Sequence, residues 1–376
     1  MKYNEYSLAD LVTIKYGKNQ KKVLSDNGEI PIYGTGGLMG YATEFLYDKP
    51  SVLIGRKGTI GKVKYVDHPF WTVDTLFYTI VNTDVVLPKY LYYVMSLIDL
   101  NNYNEGTSIP SLRTETLNRL IFSIPSLEEQ EKVLSCIRPI DDKIALNDRI
   151  NKNLEQQAQA IYRSWFVNYE HFDGMKPDDW SDGTIDDLGT EIICGKTPST
   201  KKSEYYGGNT PFITIPDMHG CVYIVSTERY LSDAGVASQP KKTLPPNTVC
   251  VSCIGTAGLV TLVSEESQSN QQINSIIPKE GISVYYIYLL MQTLAETINK
   301  LGQSGSTIVN LNKTQFGKIQ VMIPSKRVLQ DFDSLCRPLF DTILSNQTEN
   351  INLSELRDTL LPKLMSGELD VSDIDL

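Results

Sequence analysis

The chain is 376 residues long, 41% hydrophobic and 21% charged, which is enough for two or three domains that each bury a core. No apolar run approaches the ~20 residues of a membrane-spanning helix. The start MKYNEYSLAD has no secretion-signal pattern, and six scattered Cys make no disulfide framework, so a cytoplasmic protein with no membrane partner is expected. The net charge of -10 is unevenly spread: nine of the ten net negative charges lie in 126–180 and 326–376, whereas 15–64 holds nine basic residues against four acidic ones. Such a cluster keeps a phosphate-bearing partner in play.

Residues 1–125 alternate short β-branched and aromatic runs with glycine turns. Ile30–Tyr33, Ser51–Ile54, Lys62–Val66 and Phe77–Val81 are predicted strands, and Gly34–Gly37 and Gly58–Gly61 predicted turns. A helix is predicted over Lys89–Ile98, introduced by Pro88. A much longer helix opens at Ser126, where Glu129 three residues on completes a capping box. Its apolar positions Ile137, Ile140, Ile144, Asn147, Asn151, Leu154, Ala158, Ile161 and Trp165 step by three and four, the seam of a coiled coil. About forty helical residues would span about 60 Å, with Pro139 expected to kink or interrupt the helix near its first heptad.

After a polar linker at His171–Asp182 the pattern restarts. Ser7-Leu8-Ala9-Asp10-Leu11 answers to Thr184-Ile185-Asp186-Asp187-Leu188. Ser51–Ile54 with Gly58–Gly61 answers to Thr248–Val251 with Gly255–Gly258, and Gly106–Pro125 to Gly305–Pro324. The seam recurs 199 residues on as Cys336, Leu339, Ile343, Asn346, Asn350, Leu353, Arg357, Leu360 and Leu364, with Pro338 in the place of Pro139. One amphipathic segment carries little information; a register-matched pair sharing two Asn layers is an internal repeat. The expected boundaries are a first domain at 1–125, a long helix at 126–170, a second domain with its linker at 171–324, and a second long helix with an acidic tail at 325–376.

No catalytic set stands out. Gly34-Thr35-Gly36-Gly37-Leu38-Met39-Gly40 has the wrong spacing for a dinucleotide loop. Cys250 and Cys253, with Cys194 and Cys221, offer four thiols for zinc. Cys250 aligns with Leu53 and Cys253 with Arg56 in the first copy, which favours plain buried thiols. His68, His171 and His219 lack a nucleophile pattern, and Asp141-Asp142-Lys143, which resembles part of a nuclease motif, falls on the heptad helix. What remains is recognition surface. In the first domain the candidates are Lys15, Lys18, Gln20, Lys21, Lys22, Tyr33, Arg56, Lys57, Thr59 and Lys62; in the second they are Lys196, Thr197, Ser199, Lys201, Lys202, Tyr205 and Gln271. Lysines neutralise phosphates, whereas Arg and Gln read base edges bidentately.

With these residues in view the chain resembles the specificity (S) subunits of type I restriction–modification systems. The resemblance is carried by Ile30–Gly37, Leu53–Gly61 and Ile124-Pro125 in the first domain, and by Gly195–Ser199 and Pro211–Thr214 in the second. The helix ends Ser164–Val167 and Leu360–Gly367 also carry it. It implies an α/β (α+β) fold: two tandem globular target recognition domains separated by two long helices that form an antiparallel coiled coil, with an internal pseudo-twofold repeat. It implies double-stranded DNA as ligand, each domain reading one half of a bipartite target, and two methyltransferase (M) and two restriction (R) subunits as partners. S-adenosylmethionine, ATP and Mg would belong to those partners and none to this chain, which would not itself be an enzyme. Unlike side chains in the two copies imply an asymmetric target. The seam residues Ile137, Ile144, Asn147, Asn151, Leu154, Ile161, Leu339, Ile343, Asn346, Asn350, Leu353 and Leu360 would pair the helices, with Asn147 beside Asn346 and Asn151 beside Asn350. The alternative is a coiled-coil scaffold with paired protein-binding domains, whose binding need not weaken steeply with salt.

Overall fold

The computed structural model of the chain describes residues 2–303, 309–371 and 373–374. It divides into two compact units, Met1–Asp142 with Glu355–Leu376, and Lys143–Ser354. Both divisions fall inside long helices, Leu127–Phe166 and Lys326–Ser366, so each helix contributes to both units. Gly305, where the second copy of the Gly106–Pro125 pattern begins, lies outside the described residues.

In the first unit Val12–Tyr16, Leu76–Val81, Ser51–Gly55 and Val63–Val66 form an antiparallel sheet in that spatial order. Ser51–Gly55 is buried along its whole length, hence its unbroken apolar run rather than an alternating one. A second sheet sets Ile30–Gly34 between its hairpin partner Gly37–Ala42 and the parallel strand Trp71–Thr72. Asn4–Ser7 pairs with Ile121–Ile124, tying the start of the unit to the residues that feed the first long helix. Helix Pro88–Ser96 lies against the larger sheet and buries Tyr90, Leu91 and Met95. Val133, Leu134 and Ile137 from the first long helix and Leu361, Leu364 and Met365 from the second enter the same core as Val52, Ile54 and Phe77.

The second unit repeats this plan. Ser181–Thr184 pairs with Gln320–Ile323, and Gly189–Cys194, Ile273–Pro278, Val249–Ser252 and Val260–Val263 line up in the same order, with Tyr223–Ile224 added at the edge. Tyr206–Ile213 pairs in parallel with Ser267–Ser269, as Ile30–Gly34 does with Trp71–Thr72. Even the short helices match: Ser7 N donates to Asp10 at 2.9 Å and Thr184 N to Asp187 at 2.8 Å. Here the core receives Ala158, Tyr162 and Phe166 from the first long helix and Leu329, Phe332, Cys336, Phe340 and Ile343 from the second.

The first long helix starts as the capping box requires, with Ser126 N donating to Glu129 Oε2 at 3.1 Å and Glu129 N to Ser126 Oγ at 3.3 Å. It runs unbroken through Pro139, as the second runs through Pro338, against the expected interruption. Both prolines sit on exposed faces, where water can take up a carbonyl that loses its helical donor.

In the second unit the two helices pair antiparallel. Asn147 Nδ2 donates to Asn350 Oδ1 at 2.9 Å and to Glu349 Oε2 at 2.7 Å, and Asn346 Nδ2 donates to Asn151 Oδ1 at 2.8 Å. Asn350 Nδ2 reaches Asp148 at 2.8 Å, and Lys143 pairs with Glu349 at 3.0 Å. The layers are therefore 147 with 350 and 151 with 346, the reverse of the expected pairs. Antiparallel helices match the early layer of one copy with the late layer of the other. Asn147 is fully buried, while Ile144, Leu154, Ile161, Leu339 and Leu353 are half-buried along the seam and Ile343 is fully buried. Asn147→Ala is expected to cost about 1–3 kcal/mol in urea unfolding of the full chain. Replacing all four Asn by Ile should instead raise the unfolding midpoint and broaden the distribution of spin-label distances between positions 143 and 349.

In the first unit the two helices meet at a charged layer. Asp141 accepts from Tyr93 Oη and pairs with Lys89 at 3.1 Å and Arg357 at 3.3 Å. Ile137 and Leu360 flank the layer, Ile137 fully and Leu360 partly buried. Burial alone would raise the Asp141 pKa, but the Tyr93 hydroxyl and the two cations outweigh it and hold the carboxyl below its ordinary 3.8. A depressed folded-state pKa contributes stability above the unfolded value and loses it as pH falls through the folded one. Asp141→Asn should therefore lower the urea midpoint at about pH 7 and flatten its decline below about pH 4.

Candidate nucleic-acid interface

Three loops of the first unit converge. Lys18 N donates to Thr72 O at 2.8 Å and Trp71 Nε1 to Lys18 O at 2.9 Å, which fixes the segment 18–22 against Trp71–Thr72. Ser25 N to Tyr41 O and Thr43 N to Val23 O, both 3.0 Å, lay its continuation along the edge strand Gly37–Ala42. In the third loop Arg56 N and Nη1 donate to Thr75 O and Asp74 O at 2.9 and 2.8 Å, and the Arg56 guanidinium lies 5.0 Å over the Tyr16 ring. Gly58, in the left-handed region at φ +85°, turns this loop beside Thr35 at the hairpin tip.

Lys18, Lys21, Lys22, Lys57 and Thr59 are exposed on these loops, and among the described residues none of the four lysines has an ion-pair partner. Gln20 is half-buried and its carbonyl accepts from Val23 N and Leu24 N. Lys62 ends the same hairpin loop as Lys57, and Lys15 is exposed on the strand Val12–Tyr16, opposite Tyr78. Tyr33 is placed differently from the expectation. Its ring is buried, its hydroxyl lies 3.1 Å from His68 Nε2, and Lys64 caps its face at 4.0 Å. Tyr33 packs in one core with Leu53, Phe70 and Tyr78, and its neighbour Ile32 in another with Val23, Ala42 and Trp71, so both faces of this strand are covered and Tyr33 supports the sheet rather than facing a ligand.

The second unit builds the same frame from other residues. Lys196 N donates to Ser269 O at 2.8 Å, and Thr197 Oγ1 to Gln271 Oε1 at 2.7 Å. Cys253 N donates to Gln272 O at 2.8 Å, the bond that Arg56 makes to Thr75 in the first unit, and Gly255 turns at φ +76° beside the Gln272 amide. Lys196, Ser199, Lys201, Lys202 and Gln271 are exposed; Thr197 and Tyr205 are half-buried, with Lys202 Nζ donating to Tyr205 Oη at 3.0 Å. One backbone frame thus presents a guanidinium in the first unit and a buried thiol in the second.

The alternative chemistries fare poorly in this geometry. Cys250 and Cys253 enter different cores, and among the described residues no group of His, Cys, Asp and Glu could hold a metal ion. Burial pushes both thiols up to about 12, Cys250 despite a Ser275 hydroxyl 3.3 Å away. Asp141 is spent in its ion layer. Sequence reasoning missed two features. Leu38, Met39 and Tyr41 stand exposed on the edge strand, and a cavity of about 610 Å³ in the second unit is lined by Asp148, Lys152, Glu155, Tyr288 and Gln292. Glu155 accepts there from Tyr288 and Gln292 at 2.9 and 2.8 Å. Among the described residues no helix is long and apolar enough to cross a membrane.

Two tandem units of one plan, fed by paired long helices, define a class, and comparison with known proteins identifies it. The model of the type I restriction modification DNA specificity domain matches residues 1–156 and again 177–335, and the chain belongs to that family. Among its relatives, the type I restriction enzyme HindI specificity subunit of Haemophilus influenzae is 33% identical over 82% of this chain and 84% of its own length. The MjaIX specificity subunit of Methanocaldococcus jannaschii is 25% identical over 88% and 80%. The crystal structure of an S subunit from M. genitalium superposes with a TM-score of 0.59 at 17% identity, covering 97% of this chain and 96% of that one, and so shares the fold. Cys250, Cys253 and Cys336 are predicted to react with a thiol reagent only on unfolding, and a chelator should leave the melting temperature unchanged; a chelator-induced drop would restore the zinc reading.

Proposed function

We propose that this chain is the DNA-specificity subunit of a type I restriction–modification complex. Each unit reads one half of a bipartite, asymmetric target in double-stranded DNA. The two long helices fix the spacing of the halves and dock two methyltransferase subunits, with two restriction subunits joining them in the cytoplasm. The chain performs no chemistry of its own; S-adenosylmethionine, ATP and Mg are bound by the partners. The observation that carries this reading is the pair of matched loop frames with unlike side chains, Arg56 against Cys253 and Asp74 against Gln271, in a member of this family. A shared frame with different faces suits a protein that reads two different short sequences with one geometry.

The direct test is methylation mapping by single-molecule sequencing of DNA from cells carrying the chain with and without its methyltransferase. A new methyladenine motif of half-site, fixed gap and half-site is expected; no motif with an active methyltransferase present would overturn the proposal. In binding assays Lys21→Gln with Lys22→Gln should leave the motif unchanged and reduce the slope of log affinity against log salt by about 2, near 0.9 for each phosphate no longer neutralised.

A further inference from the structure

The edge strand of the first unit carries large apolar side chains that stand exposed among the described residues. Leu38 is 53% exposed and Met39 55%, with Tyr41 close behind, and Leu24, bridged to Ala42 beside them, is equally open. Scattered exposed apolar residues are ordinary; four on one strand and its neighbour make a patch. The patch is also seated. The Met39 sulfur occupies the space that a side chain on Gly34 would fill, and a Leu24 methyl lies where one on Gly40 would project. Gly40 also has a φ of +151°, which favours glycine. Ile32 pairs with Gly40 and Tyr33 with Leu38, so Met39 is the extra residue of a bulge and the strict alternation of a strand is broken between Leu38 and Met39.

The surroundings decide the occupant. The segment bearing Lys18, Lys21 and Lys22 runs directly into Leu24, and on the other side the hairpin turn at Thr35 abuts Gly58, next to Lys57. Apolar side chains between lysines without ion-pair partners suit a nucleic-acid duplex. The phosphates take the lysines, and the major groove, which admits a two-stranded β-ribbon, offers an apolar group in the thymine methyl. The corresponding edge of the second unit, Tyr230–Leu231, is short, with Leu231 buried, and presents no such patch.

We infer that the hairpin Ile30–Ala42 enters the major groove of the half-site read by the first unit, where Leu38 and Met39 recognise thymine methyl groups. The inference rests on the DNA-specificity reading and adds to it which residues discriminate. The lysines supply affinity that is indifferent to sequence, and the two apolar side chains separate thymine from cytosine.

The test uses the full chain with its methyltransferase partner and duplexes carrying the motif found by methylation mapping, with the thymines of one half-site at a time replaced by deoxyuridine. For one half-site the replacement should weaken binding about fourfold per contacted methyl, the scale of one buried CH₂; for the other it should not. Leu38→Ser with Met39→Ser should abolish that sensitivity and degenerate the same half-site. It should leave the salt slope unchanged and the other half-site intact, which also reports that the variant folds. The inference is overturned by half-sites without thymine, by wild-type binding indifferent to deoxyuridine in both halves, or by a double variant that keeps the wild-type motif and sensitivity. If the wild type yields no motif at all, the DNA-specificity reading falls and takes this inference with it.

Discussion

Two long helices must each satisfy two hydrophobic cores with one continuous apolar stripe, and the rest of the fold follows from that constraint. The first helix gives Val133, Leu134 and Ile137 to one core and Ala158, Tyr162 and Phe166 to the other; the second does the same in reverse order. A slip of either helix along the other would misplace both sets together. Pure apolar seams tolerate such slips, because any heptad fits any other. The interlocked layers of Asn147 with Asn350 and Asn151 with Asn346 do not, since a shifted register would leave buried amides without partners. Asp141 with Lys89, Tyr93 and Arg357 sets a comparable polar layer in the first unit.

Much of this frame is legible in the sequence for identifiable reasons. The capping box at Ser126, the three-and-four spacing of the seam and the recurrence of its Asn layers are local or periodic signals, and each corresponds to a feature of the fold. The direction of pairing is not of that kind. A heptad pattern shows which face is apolar but not which layer meets which, so the Asn partners came out exchanged. Pro139 misleads for a similar reason: its local cost is real, but packing on the buried face and water on the exposed one let the helix continue.

The recognition loops are legible in composition and much less so in geometry. The lysines of 18–22 and 57 could be found because charge clusters are visible without a fold. Tyr33 could not be placed, because its burial depends on both faces of its strand being covered, with Tyr33 in one core and Ile32 in another. Met39 and Leu38 went unnoticed because their exposure depends on glycines at 34 and 40 and on an uncovered sheet edge, which are relations across strands. Cys250 and Cys253 show the converse case. Three residues apart along and just past a strand, they fall in different cores, which strand alternation alone anticipates. Between the units the backbone bonds of the loops are kept while the side chains they carry are exchanged, so specificity can change without disturbing what holds the helices together.

That separation of frame from face is tested most directly by binding to duplexes that carry both half-sites with the gap lengthened or shortened by one base pair. If the helices set the spacing as proposed, the native gap should bind far more tightly than a duplex bearing either half-site alone. A one-base-pair change should bring affinity down close to the single half-site level. Affinity that ignores the gap would contradict a fixed spacing and leave two reading heads joined only by a tether.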